Sequence, residues 1–133
     1  MTVLGIDYGS AHKGLALGYT ETKLAMPLAA YDHLSDPDFL TKIRDTISEH
    51  QVKLIVVGWP VTWPEDRHYR GMREEAEKFA DRVSSDIDLP VELVDERYTT
   101  AAATRLKKEY PQGDIHALSA MLILQTYLEK QSF

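Results

Sequence analysis

The sequence contains no cysteine, and this absence removes several classes of chemistry. Without thiols there is no disulfide framework, no thiolate metal site and no cysteine nucleophile. Long apolar runs are also missing: the longest, in Ala117–Leu124, is far short of the ~20 residues that cross a bilayer and is interrupted by Ser119. The opening stretch, MTVLGIDYGS, lacks the charged and apolar regions of a signal peptide. We therefore expect a cytoplasmic protein with no membrane partner.

Positive charge is in the minority, with 15 Lys and Arg against 21 Asp and Glu and a formal net charge of −6. A protein that holds nucleic acid by bulk charge is usually basic, although a local basic face is compatible with an acidic remainder. Acid-rich sites for divalent cations shift composition in this direction. The 133 residues, 44% of them hydrophobic, fit one domain over residues 1–133.

The apolar pattern predicts an α/β fold. Three short segments open the chain as a strand meander, and two further buried strands alternate with helices. The predicted strands are Val3–Asp7, Gly14–Gly18, Leu24–Tyr31, Lys53–Val57 and Pro90–Asp95. Helices are predicted from Asp36, over Arg70–Ser85, from Thr99 or Thr100, and from Asp114. The order β-β-β-α-β-α-β-α-α predicts a mixed five-stranded sheet, with three antiparallel strands followed by parallel strands and helices on both faces.

Carboxylates stand at the ends of two of these strands. Asp7 ends the first strand between two glycines, and Asp95 and Glu96 end the last one. If the two strands are neighbours, all three acids reach one crevice at the carboxyl edge of the sheet, where α/β proteins bind ligands. The alternatives are a turn residue for Asp7 and a solvated cluster in which Arg97 pairs with the adjacent acids.

The last predicted helix brings two more candidates. Asp114 follows a glycine and precedes an apolar helix, which is typical of an N-cap. A helix beginning near the crevice can instead place Asp114 or His116 inside it. A neutral imidazole binds metals, although Mg²⁺ prefers oxygen ligands.

Basic residues cluster in three places, one of them beside two tryptophans. Lys13, Arg70 and Arg97 are the cations that we expect along a phosphate backbone. The alternative for the helical ones is pairing with glutamates at helical spacing. The chain has no Walker lysine motif, no HExxH motif and no GxGxxG dinucleotide pattern.

Taken together, these motifs resemble the RuvX (YqgF) family of ribonuclease H-like proteins, which comprises pre-16S rRNA nucleases and Holliday junction resolvases. The resemblance rests on stretches that run in order along nearly the whole chain: LGIDYGSAHKGLALG, MPL, LIVVGWPV, PVELVDERYTTAAA and IHALSAMLILQTYLE. It implies a ribonuclease H-like fold, a metal-dependent phosphodiesterase and a role in the maturation of ribosomal RNA.

The resemblance also implies roles for particular residues. The family's first carboxylate falls on Asp7 and its second on Glu96, with Asp95 beside it as a further candidate ligand of Mg²⁺ or Mn²⁺. The third family acid falls on His116, so either Asp114 takes its place, or His116 serves as ligand or general base, or the activity is weak or absent. The stretch Ala11-His12-Lys13-Gly14 departs from the family's usual Lys-Arg-Ile/Val-Gly. Two-metal cleavage needs several carboxylates, so these departures bear on activity.

We therefore predict a metal-dependent nuclease that hydrolyses phosphodiester bonds in structured nucleic acid, with precursor 16S rRNA as the first candidate substrate. One alternative is a Holliday junction resolvase that cuts four-way DNA junctions as a homodimer rather than acting as a monomer. Another is a nucleic-acid-binding module whose catalytic site is degenerate.

Overall fold

A mixed five-stranded sheet forms the centre of the computed structural model. The structure describes residues 1–59, 69–94, 100–111 and 114–131, without the side chains of residues 69–70 and 100–104. The strands are β1 (Thr2–Tyr8), β2 (His12–Tyr19), β3 (Leu24–Asp32), β4 (Val52–Gly58) and β5 (Val91–Leu93). The helices are α1 (Asp36–His50), α2 (Tyr69–Asp86), α3 (Thr100–Glu109) and α4 (Ile115–Lys130).

The strands lie in the order β3-β2-β1-β4-β5. β1 pairs antiparallel with β2, and β2 pairs antiparallel with β3. β4 is parallel both to β1 and to β5. The predicted fold class, element order and mixture of strand directions are therefore confirmed, and the parallel strands bring the carboxyl ends of β1, β4 and β5 to one edge of the sheet.

The two faces of the sheet carry separate apolar cores. On one face, α1 and α2 cover the sheet with buried side chains that include Phe39, Ile43, Phe79 and Val83. On the other face, α4 packs through Ala120, Leu124 and Leu128. α4 is apolar on nearly all sides, which is typical of a helix buried in a core. No helix in the described ranges is long and apolar enough to cross a membrane.

Glycines on three central strands allow α4 to lie directly on the sheet. A Cβ atom at Gly5 would lie 2.8 Å from the Leu124 Cβ, and one at Gly58 would lie 2.8 Å from the Ile123 side chain. At Gly14 the Cβ would lie 2.0 Å from the backbone oxygen of His116. Only glycine fits at this last position, because the contact is with backbone that cannot rotate away. The first turn of α4 is thus fixed above β2.

Candidate active site at the edge of the sheet

Asp7 lies at the carboxyl end of the central strand β1, beneath the N-terminal half of α4. Its register partners are Gly14 on β2 and Gly58 on β4, both of which lie directly under α4. Because side chains of paired residues share a face, the Asp7 carboxylate lies on the α4 face between two positions that have no side chain. The side chain is 1% exposed.

The Asp7 carboxylate has no hydrogen-bond partner among the described residues. Both of its oxygens are buried and unpaired. Burial alone raises the pKa of Asp7 well above its usual value, because the charged form is separated from water. A buried ionised carboxylate is strongly unfavourable without a partner, so this group requires either a proton or a cation. A divalent cation fits this donor, because hard cations prefer carboxylate oxygen.

Asp114 is the N-cap of α4. It has extended backbone angles, φ −70° and ψ 136°, and its Oδ1 accepts a hydrogen bond from the His116 backbone N–H at 2.8 Å. The side chain is exposed. The N-cap alternative of the sequence analysis therefore describes the position of Asp114 in the structure.

The His116 ring packs against a second histidine. Its centroid lies 4.5 Å from that of His12 on β2, with the two rings 7° from parallel. His12 Nδ1 lies 2.8 Å from Oδ1 of Asp32, its register partner on β3. Burial, followed by the charge of His12, lowers the pKa of His116, while Asp114 and Asp32 oppose this shift. The hydrogen bond from His12 lowers the pKa of Asp32.

Sequence reasoning missed this cluster because it did not single out Asp32. The signal was present: the predicted meander pairs the end of the third strand with the beginning of the second. Cross-strand pairing therefore brings Asp32 opposite His12.

Lys13 is buried on the other face of the sheet, under α1 and α2. Its side chain is 1% exposed, Nζ donates to the Ser10 backbone oxygen at 2.9 Å, and Nζ lies 3.7 Å from Asp36 Oδ1. It also lies 5.2 Å from the centroid of the Tyr8 ring. An ammonium in this position is separated from any ligand on the surface, which argues against the predicted phosphate contact. Alternation from Leu15 and Leu17 along β2 was the signal for its burial.

Several predicted site residues lie outside the described part of the chain. They are Asp95, Glu96, Arg97 and the side chain of Arg70. The nearest described residue is Val94, which is buried and whose N–H donates to the Val57 backbone oxygen at 2.8 Å. Val57 precedes Gly58, the register partner of Asp7. The chain thus reaches residue 94 at the edge of the sheet where Asp7 lies.

This sheet order, with a buried carboxylate at the end of the central strand, agrees with the ribonuclease H-like fold that the sequence resemblance implies. The chain belongs to the RuvX family, whose model, described as Holliday junction resolvase, matches residues 1–130. It is therefore a hydrolase of a nuclease family, its partner is a nucleic acid, and enzymes of this class use divalent metal ions.

Relatives match the chain over nearly its whole length. A protein of Shewanella denitrificans is 38% identical over 136 residues, covering 98% of this chain and 95% of its own. One of Dictyoglomus turgidum is 32% identical over 141 residues, covering 99% and 96%. Both carry the name "Putative pre-16S rRNA nuclease".

A solved structure supports the same fold. RuvC of T. thermophilus in complex with a Holliday junction substrate superposes with a TM-score of 0.59 at 14% identity, covering 96% of this chain and 94% of its own. At this identity the likeness shows the fold alone.

Proposed function

We propose that the chain is a divalent-metal-dependent nuclease that cleaves precursor 16S rRNA in the cytoplasm, with Mg²⁺ or Mn²⁺ as its cofactor. The observation that carries this proposal is the Asp7 carboxylate, which is buried at the edge of the sheet with both oxygens unpaired. The names of the full-length relatives support the choice of substrate.

Asp7 and Glu96 hold the metal in this proposal, and Asp95 is a further candidate ligand. Support comes from the parallel pairing of β1, β4 and β5, and from the hydrogen bond between Val94 and Val57 that precedes the second pair of acids in the chain. Asp7 and Glu96 would hold two divalent ions, which when bound would supply an activated water and stabilise the leaving oxygen. The surrounding protein restricts water around Asp7 because α4 covers both flanking glycines.

Asp114 acts in this proposal as a positioning residue and not as a ligand. Its carboxylate already satisfies the His116 N–H and so holds the first turn of α4 above Gly14. His116 is left as the candidate for the third position, as a ligand or a general base, and the lowered pKa of its imidazole keeps the ring neutral near pH 7. We place Arg70 and Arg97 along the phosphates, and leave Lys13 out because it is buried.

A cleavage assay tests the proposal. Purified protein is incubated with precursor 16S rRNA in Mg²⁺, in Mn²⁺ and in chelator, beside Asp7→Asn and Glu96→Gln. Asp81→Asn makes the same chemical change on an exposed face of α2 and serves as the control. We expect metal-dependent cleavage that both site variants lose and the control retains. Full activity of Glu96→Gln contradicts the assignment.

Junction cleavage is the second candidate, because the matching family is described as Holliday junction resolvase. A resolvase cuts two symmetric strands and therefore acts as a homodimer with twofold symmetry. A four-way DNA junction in the same assay, with sedimentation to separate monomer from homodimer, distinguishes the two substrates. RNA binding that is indifferent to metal and to Asp7→Asn, with no cleavage of either substrate, identifies a degenerate binding module instead.

A further inference from the structure

Three metal-ligating side chains from three elements meet beside the candidate active site. They are His12 at the start of β2, Asp32 at the end of β3 and His116 in the first turn of α4. One donor atom from each lies within 4.8 Å of the donors of the other two. No other group of three such side chains in the described ranges meets this condition.

The fold holds these residues together through backbone features. His12 and Asp32 are direct register partners in an antiparallel pair, so their side chains share a face. That face is the one covered by α4, because Gly14, two residues along β2, lies under the His116 backbone oxygen. The cap from Asp114 fixes the backbone N–H of His116 itself. The cluster is therefore built from the register of a sheet and the start of a helix.

We propose that His12, Asp32 and His116 form a second metal site, which takes a borderline transition cation such as Zn²⁺ or Co²⁺. Two imidazoles and one carboxylate are a typical ligand set for such ions, whereas Mg²⁺ prefers oxygen ligands. The side chains of His12 and Asp32 are 49% and 60% exposed, so an ion enters from solvent and water fills the open coordination positions.

Small movements of these side chains complete the coordination. Ligands at about 2.0–2.2 Å from a tetrahedral Zn²⁺ lie about 3.3 Å from each other. Donors now within 4.8 Å therefore approach by roughly 1.5 Å through rotation about the side-chain χ angles, and the half-buried His116 ring, now stacked on that of His12, turns so that both nitrogens face the ion. The hydrogen bond between His12 and Asp32 already brings one pair to 2.8 Å.

This site shares His116 with the proposed nuclease centre, where that residue is the candidate for the third position, but it takes its other two ligands from His12 and Asp32 and prefers a different ion. The partner of Asp7 on β2 is Gly14. His12 lies two residues before Gly14, on the same face of the sheet, at the start of the strand. The inference rests on the three side chains of the cluster and does not depend on cleavage activity.

Direct titration of the full-length, chelator-treated protein with Co²⁺ tests the inference, because the visible absorption of Co²⁺ reports protein ligands. The absence of cysteine removes thiolate binding as a competing signal. With excess Mg²⁺ present to occupy the nuclease centre, we expect one Co²⁺ per chain, displaced by Zn²⁺. His12→Gln, His116→Gln and Asp32→Asn should each weaken Co²⁺ binding by roughly tenfold or more. His50→Gln, at the end of α1, is the matched histidine control and should bind as the wild type does.

Further measurements distinguish a separate metal site from binding of Co²⁺ at the nuclease centre. Asp7→Asn should retain the Co²⁺ spectrum, and loss of the spectrum in this variant assigns the ion to the nuclease centre and overturns the proposal. Unchanged affinity in both His12→Gln and His116→Gln also overturns it. Proton NMR of the wild type needs no variant: Co²⁺ should broaden the imidazole signals of His12 and His116 before that of His50. Broadening of His50 first contradicts the site.

Discussion

Replacing Asp7 by asparagine should stabilise the metal-free protein while it abolishes metal-dependent cleavage. The reason is that the wild-type carboxylate is 1% exposed and neither oxygen has a partner among the described residues. An unpaired buried carboxylate raises the free energy of the folded state, and such a group is expected at a site where a bound ligand supplies the missing partner. Asparagine has nearly the same shape and removes the charge.

The magnitude follows from the two unfavourable terms. An unpaired buried carboxylate charge costs several kcal/mol of folding free energy. Protonation of the carboxylate replaces this cost by a smaller one, which is about 1.4 kcal/mol for each unit by which the pKa is raised. The buried amide of asparagine is also unpaired and costs about 1–3 kcal/mol. A net gain of about 2 kcal/mol at pH 7 is therefore expected, which is roughly 8 °C in Tm for a chain of this length.

The pH dependence of this gain has a definite sign. The pKa of Asp7 is raised in the folded state, so the folded protein binds this proton more tightly than the unfolded protein does. The free energy of unfolding of the wild type therefore falls as pH rises from about 4, the ordinary carboxyl value, through the folded pKa. Below that window the advantage of Asp7→Asn should disappear, and above it the advantage should be complete.

Thermal unfolding in chelator from acid to neutral pH measures the effect, with Asp81→Asn as the exposed control. Mg²⁺ or Mn²⁺ should then raise the Tm of the wild type more than that of Asp7→Asn. If Asp7→Asn proves less stable than the wild type in chelator at pH 7, then Asp7 has a stabilising partner in the folded protein. Such a partner would leave the carboxylate with no need of a cation, contrary to the proposed metal site.

Four other changes test the packing of the fold and its polar groups. Gly14→Ala should lower the free energy of unfolding by about 3 kcal/mol in denaturant titrations, because its Cβ would lie 2.0 Å from backbone of α4. Gly71→Ala, with nothing within 4 Å, should instead raise it by about 1 kcal/mol. Lys13→Met should change it by less than about 1 kcal/mol, since its acidic partner stays part-exposed, and should leave RNA affinity in a salt titration unchanged. Burial and a hydrogen bond to Glu92 raise the pKa of Tyr127 to about 12, so stability should fall between pH ~10 and ~12 and fall less in Tyr127→Phe.

The fold was predictable because its local signals agree with one another. Short β-branched runs, glycines between strands and caps before helices each indicate the same element order, and that order permits a mixed sheet with covered faces. The differences lie at element ends. The last strand was predicted over Pro90–Asp95, whereas the structure assigns Val91–Leu93, with residue 95 outside the described ranges.

The site was predictable only in part, because side-chain surroundings depend on contacts between distant segments. Strand ends and glycines identified Asp7 as a candidate, but its lack of a partner follows from the packing of α4, which periodicity does not report. Lys13 was assigned to phosphate from its charge, although its place in β2 buries it beside Asp36. The charge of Lys13 suggested a role at the surface, whereas the alternation of side chains along β2 places Lys13 in the interior.

Two residues that depart from the family pattern, His12 and His116, lie next to each other in the structure. His12 and His116 are separated by about a hundred residues in the sequence, yet their rings are in stacking contact, and Asp32 pairs with the first of them. The family pattern that the sequence resembles has an acid at position 116, where this chain has histidine. The same position supplies a neutral nitrogen ligand to a cluster that includes a carboxylate. In the site that we propose, two imidazoles and one carboxylate favour a borderline cation, whereas the buried carboxylate of Asp7 suits a hard one.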